Sequence, residues 1–99
     1  MVYERAVIEV KEGSEAAFEA AVQEAAPYFQ KARGCSGLAL QRSVEQPTRY
    51  VLVVKWDTVE DHTVHFRGAP EFQEWRRLAS PHFASPPQVE HFSEALTCF

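Results

Sequence analysis

Imidazole is the side chain whose ordinary ionisation lies closest to neutral pH, and two of the four histidines, His62 and His65, stand close together in the run DTVEDHTVHF. A histidine so placed can act as a general base. Asp61 precedes His65 by four positions, a spacing that on a helix lets a carboxylate pair with the imidazole and raise its basicity. Taking Val59, His62 and Phe66 as the buried stripe puts His62 inside that stripe and His65 on its flank. Trp56, Phe66, Phe72, Trp75 and Phe83 fall within fewer than thirty residues and could line an apolar pocket, although a small domain also needs such aromatic area for its core. His-x-x-His can supply two metal ligands, with His82 or His91 as a third, but no carboxylate or thiolate falls at a characteristic ligand spacing, so no metal is expected. Nucleophile, dinucleotide and phosphate-loop motifs are all missing. What remains is an apolar pocket with imidazoles.

These side chains must be carried by a strand and the helix after it. Tyr50–Trp56 is β-branched and aromatic almost throughout, the pattern of a strand buried on both faces. Thr58 can cap the next helix, with Asp61 completing a capping box and Glu60 opposing the positive helix end. That helix is predicted to run to Arg67, break at Gly68 and restart at Pro70, with Phe72, Trp75 and Leu78 facing inward up to Pro81. Upstream, Val2–Val10 reads as a strand with Val2, Ala6, Ile8 and Val10 on one face. A helix then follows Ser14, with Phe18, Val22, Ala25 and Phe29 as its apolar stripe, a kink expected at Pro27 and an end by Arg33 at Gly34. Gly37–Val44 is predicted as the second strand, joined through Pro47 to the central one as an antiparallel pair. Ser80–Pro87 should be irregular and Gln88–Phe92 a last strand.

Strand, helix, strand, strand, helix, strand folds into a ferredoxin-like α+β arrangement, an antiparallel sheet with both helices on one face and a single domain over residues 1–99. The other face of the central strand, with Val51 and Val53, would then be bare, and a second copy stacked on it would give a homodimeric α+β barrel. A domain of this size buries only about 60 to 65% of its unfolded surface, which also favours association. The formal charge is −4 and the basic residues are scattered, so neither nucleic acid nor an anionic membrane is an expected partner. Without a leader pattern or an apolar run of transmembrane length, and with Cys35 and Cys98 far apart, the sequence reads as a cytoplasmic protein with reduced thiols.

The run W-D-T-x-E-D-H-x-x-H-F-x-G-x-x-x-F from Trp56 to Phe72, with I-E-V-K-E-G at Ile8–Gly13 and G-C-x-G at Gly34–Gly37, resembles the antibiotic biosynthesis monooxygenase family over nearly the whole chain. That resemblance implies a dimeric α+β barrel with a pocket between helices and sheet. It implies oxygenation of phenolic rings to quinones without a cofactor in some members and haem degradation in others, and His65 as the motif histidine. Those relatives carry a pocket asparagine, on the first strand in the haem enzymes; this chain contains no asparagine, and Ala6 or its neighbours fall there.

The expected function is therefore oxidation of a small phenolic molecule, hydroquinone- or anthrone-like, by O2, with His65 preferred over His62 as base and Asp61 orienting it. Trp56, Phe66, Phe72, Trp75 and Phe83 would hold the ring. Two alternatives use the same pocket: a non-catalytic binding module for an apolar small molecule, and an isomerase or cyclase that needs only the imidazole.

Overall fold

Alternating apolar residues on four strands and two apolar helical stripes generate one layer of sheet and one of helix. The computed structural model describes residues 1–99. It runs β1 (Val2–Glu9), α1 (Glu15–Gln30), β2 (Cys35–Arg42), β3 (Arg49–Trp56), a π-helical segment (Asp61–Phe66), α2 (Pro70–Ala79), a 3₁₀ turn (Ser80–His82) and β4 (Gln88–Phe92). The sheet has the order β2-β3-β1-β4, every pair antiparallel. This is the expected ferredoxin-like topology, and the sheet does not close, leaving β2 and β4 as edges.

The inward face of β3 is Tyr50, Leu52, Val54 and Trp56, all essentially inaccessible to solvent, and it meets Phe18, Val22, Ala25 and Phe29 of α1 and Trp75 and Ala79 of α2. Val51 and Val53 point the other way and are half-buried. On that outer face Val7, Val51 and Val53 are flanked by Arg5 over the Phe92 ring and Lys55 over the Tyr3 ring.

Three local expectations change. The second strand occupies Cys35–Arg42 rather than Gly37–Val44: Ser43 opens the turn by accepting from the Gln46 N–H and donating its own N–H to the Arg49 carbonyl, which leaves Val44 90% exposed. α1 runs through Pro27 to Gln30 without a break, because Pro27 lies on the exposed face, where the Gln23 carbonyl it cannot serve is open to water. The segment after Thr58 is π-helical rather than α-helical. Thr58 caps its start as expected, accepting from the Asp61 N–H at Oγ1 at 3.1 Å, but the Asp61 carboxylate lies by Gly34 and Arg33 and does not complete the box.

Gly34 ties the end of α1 to this segment. It has φ +77°, a Cβ placed on it would run into the Asp61 carboxylate, and its carbonyl accepts from the Asp57 N–H at 2.8 Å. Gly13 also has positive φ, +89°, but faces open space. Gly34→Ala is therefore expected to cost on the order of 2–3 kcal/mol in chemical denaturation and Gly13→Ala only about 1 kcal/mol. Equal losses would show that the Asp61 packing contributes nothing.

Candidate active site

β1 alternates strictly, so the parity that buries Ala6, Ile8 and Val10 also turns Glu4 inward. The antiparallel register sets Glu4 opposite Val54 on β3 and opposite His91 on β4. A carboxyl there needs partners. Trp56, at the end of β3, donates from Nε1 to Glu4 Oε1 at 3.0 Å, and His62 Nε2 lies 3.3 Å from the same oxygen. The His62 ring stacks on Trp56 at 5.4 Å and 13°, and its Nδ1 shares a hydrogen bond of 2.8 Å with Nε2 of His91. Glu4, His62 and His91 thus form a continuous line. Glu4 and His62 are 5% and 3% exposed, whereas His91 is half-buried.

This line borders a cavity of about 740 Å³ between the sheet and the helices. Glu4 and His62 reach it beside Phe66, Phe72, Trp75 and Phe83, with Ala6 and Leu52 as floor. A cavity of this size and apolarity suits a molecule of two or three fused rings. Phe66 packs against Phe29, Trp56 and Phe72, and Trp75 meets Phe29 edge-on, so the wall is fixed by core contacts.

The π-helical geometry decides which residues of the segment reach the cavity. Its hydrogen bonds close over five residues, as in Arg67 N–H to the His62 carbonyl at 3.1 Å, so residue i+5 comes round beneath residue i. His62, Phe66 and Arg67 all line the cavity as a result. His65 does not: it is exposed on the outer side of the segment. The expected pairing of Asp61 with His65 is not made either, since Asp61 turns toward Gly34 and lies 3.6 Å from Arg33. Trp56 stands behind His62 and Glu4 rather than on the cavity surface. Four of the anticipated aromatics, Phe66, Phe72, Trp75 and Phe83, do line it.

Burial sets the proton affinities. It pushes the Glu4 carboxyl above its ordinary value, against the Trp56 hydrogen bond and the Arg67 cation. Burial lowers His62 to about 4, helped by Arg67 and His91, and burial with Arg67 lowers His91. His62 is therefore neutral near pH 7, and its approach to Glu4 is a contact of a neutral ring rather than an ion pair. Either tautomer suits the line. With Glu4 ionised, Nε2–H faces the carboxylate and Nδ1 accepts from His91; with Glu4 protonated, Nε2 faces the acid proton and Nδ1–H donates to His91. No three His, Cys, Asp or Glu side chains converge to hold a metal ion, and both cysteines are free.

Glu4 was not singled out in the sequence, and His91 was weighed only as a third metal ligand. The signal for Glu4 was present in the parity of β1, where it falls between Val2 and Ala6. His91 needed the β1–β4 register, which no local pattern supplies.

Comparison with known proteins places these features. The family model for antibiotic biosynthesis monooxygenases matches residues 1–78. The uncharacterised protein YczJ of Bacillus subtilis (strain 168) is 42% identical over 94 residues, 95% of this chain and 99% of that protein. A crystal structure from Bordetella bronchiseptica, provisionally assigned as an antibiotic biosynthesis monooxygenase, is 54% identical with a TM-score of 0.95, covering 96% of this chain and 97% of that one. SnoaB, a cofactor-independent oxygenase from Streptomyces nogalater, superposes in a mutant form with a TM-score of 0.82 at 19% identity, over 97% and 94% of the two chains; at that identity the likeness is one of fold.

The histidine shifts have a measurable consequence. His62 titrates near 6.5 in the unfolded chain and at about 4 when folded, so the unfolded state binds more protons between these values. The stability His62 contributes is present above pH 6.5 and is lost as pH falls toward 4. Glu4 has the opposite sign: its raised carboxyl favours the folded state on the acid side, a contribution lost as pH rises through its folded value. Between pH 7 and pH 5 His62 and His91 lower the melting temperature and Glu4 opposes them, so His62→Gln should lose less stability over this range than the wild type while keeping the share of His91. Melts of both proteins across this range check it, and parallel curves would refute the burial of a neutral His62.

Proposed function

The chain belongs to the antibiotic biosynthesis monooxygenase family, and from that premise we propose that it oxidises a small phenolic aromatic, hydroquinone- or anthrone-like, with O2 and without a cofactor. The observation that carries this reading is the buried line Glu4, His62, His91 opening at its Glu4 end onto a ring-sized apolar cavity. Both His62 nitrogens face protein partners, so Glu4 is the group best placed to take a proton from the ligand. Burial has raised its affinity for one, which brings a carboxylate nearer the working range of a general base. His62 and His91 then lead that proton toward the half-exposed end of the line.

The reaction needs nothing further from the protein. Loss of the proton leaves an electron-rich anion in an apolar cavity, where its full charge raises its reducing power. The ring gives four electrons to O2; one oxygen atom ends bonded to ring carbon and the other leaves as water. SnoaB, a cofactor-independent oxygenase of the same fold, supports the reaction class. Proton movement alone would equally serve an isomerase, so product formation under argon separates the two.

We also propose that a second copy covers the outer sheet face, where Val7, Val51 and Val53 are half-buried beside the 43% exposed Phe92, giving a homodimeric α+β barrel.

Oxygen uptake with a panel of hydroquinones and anthrones tests the first proposal. Glu4→Gln, which can still accept from Trp56, should lower the rate on the order of 100-fold or more with the fold kept, and His62→Gln should lower it comparably. His65→Ala should leave it unchanged. An inactive His65→Ala beside an active Glu4→Gln would move the base to the outer side of the segment. For assembly, light scattering should give twice the monomer mass of 11.3 kDa, and Val53→Asp should weaken the dimer by burying an unpaired carboxylate; a monomer at micromolar concentration overturns it.

A further inference from the structure

Four arginines have carboxylate partners: Arg33 with Asp61, Arg42 with Glu19, Arg49 with Glu9 and Arg77 with Glu74. Arg5, Arg67 and Arg76 have none; Arg5 lies over the Phe92 ring on the outer sheet face, whereas Arg67 and Arg76 both line the cavity. They arrive from different elements, Arg67 just after the π-helical segment and Arg76 on α2 beside Trp75. Both are exposed, which puts their guanidinium groups where the cavity meets solvent. Glu4 is the only carboxylate on the lining, so the opening is cationic in a chain whose formal charge is −4. In an acidic protein a surface arginine readily finds a carboxylate, as four of the five others do. Two without such a partner on the lining of one cavity leave it with positive charge that a ligand's own negative charge would answer.

We propose that the ligand is an aromatic acid, its ring system in the apolar cavity and its carboxylate held at the mouth by Arg67 and Arg76. This rests on reading the cavity as the substrate site and names the substrate class. Guanidinium matches a carboxylate in charge and in its planar, two-pronged geometry, and a phenol has nothing comparable to offer at the mouth. A second effect follows from the position of Arg67. Its charge depresses the proton affinity of both His62 and His91, so a bound carboxylate that neutralises it makes the line a better proton acceptor at the moment the ring is in place. An acid ligand would thereby tune the site that deprotonates it.

The test uses 2-naphthol and 6-hydroxy-2-naphthoate, two probes with the same phenolic ring system, one of which adds a carboxylate. Quenching of tryptophan fluorescence reports their entry, since Trp75 lines the cavity and Trp56 stacks on His62. Under argon the naphthoate is expected to bind about tenfold or more tightly than the naphthol, with the advantage shrinking as salt is raised. In Arg67→Gln/Arg76→Gln the advantage should largely vanish while 2-naphthol binds as before, which also shows that the variant is folded. Equal affinities in the wild type, an advantage that survives the double substitution, or no binding of either probe at millimolar concentration would overturn the proposal. Its failure is distinguishable from that of the oxygenase reading. A naphthoate preference without oxygen uptake on any aromatic acid keeps the acid site and removes the oxygenase, whereas rapid oxidation of neutral phenols with no preference for acids does the reverse.

Discussion

A carboxyl group buried on the helix-facing side of a sheet is the constraint around which this fold is arranged. Leaving Glu4 unpartnered there would cost several kcal/mol, and the chain meets the cost with three elements at once. Trp56 at the end of β3 donates to it, His62 from the π-helical segment comes up behind, and His91 on β4 closes the line. No buried side-chain nitrogen or oxygen in the chain is left without a partner. Because the partners come from β3, the crossover segment and the edge strand, satisfying Glu4 also fixes how those elements meet. Burial makes the carboxyl more basic, and the Trp56 hydrogen bond offsets part of that shift.

The π-helical segment is the second device, and it acts through geometry rather than energy. An α-helix would bring Phe66 under His62 and turn Arg67 away. Closure over five residues brings both to the cavity, so one short segment supplies an imidazole, an aromatic wall and a cation. Asp61, at the start of the same segment, is drawn to the other side by Gly34 and Arg33. That choice withdraws the carboxylate from the His65 side of the segment and keeps its charge out of the cavity, where it would have opposed the arginines at the mouth.

Most of the architecture was legible because it follows from periodicity. The alternation of Tyr50, Leu52, Val54 and Trp56 and the stripe Phe18, Val22, Ala25, Phe29 define the two faces that pack together, and the aromatic wall of the cavity was legible in the density of Phe66, Phe72, Trp75 and Phe83. Periodicity put His62 on the buried stripe, where it lies, but the pairing expected of Asp61 with His65 is not made. His65 drew attention through its four-residue spacing from Asp61, but that spacing brings side chains together only on a regular α-helix, and a π-helix changes the offset. Val44 extended the second strand on apolarity alone, while Ser43 had already turned the chain. Glu4 stood on the buried parity of β1 and was passed over because a charged residue breaks an apolar pattern, although a charge on a buried face is itself the informative observation.

The charge distribution of the cavity, unlike its shape, has no local signature in sequence at all. Arg67 and Arg76 are separated by a glycine break and a helix start, and neither falls in a basic run; they become a pair only because the π-helical segment and α2 border the same opening. The buried end of that opening holds a carboxyl with raised proton affinity and the exposed end holds two cations. On the proposed reading, a molecule that spans the cavity meets opposite demands at its two ends, a proton to give up inside and negative charge to present outside. Those demands orient it: an acid entering ring first satisfies both, and the reversed pose would set its carboxylate against Glu4 and leave the arginines unanswered.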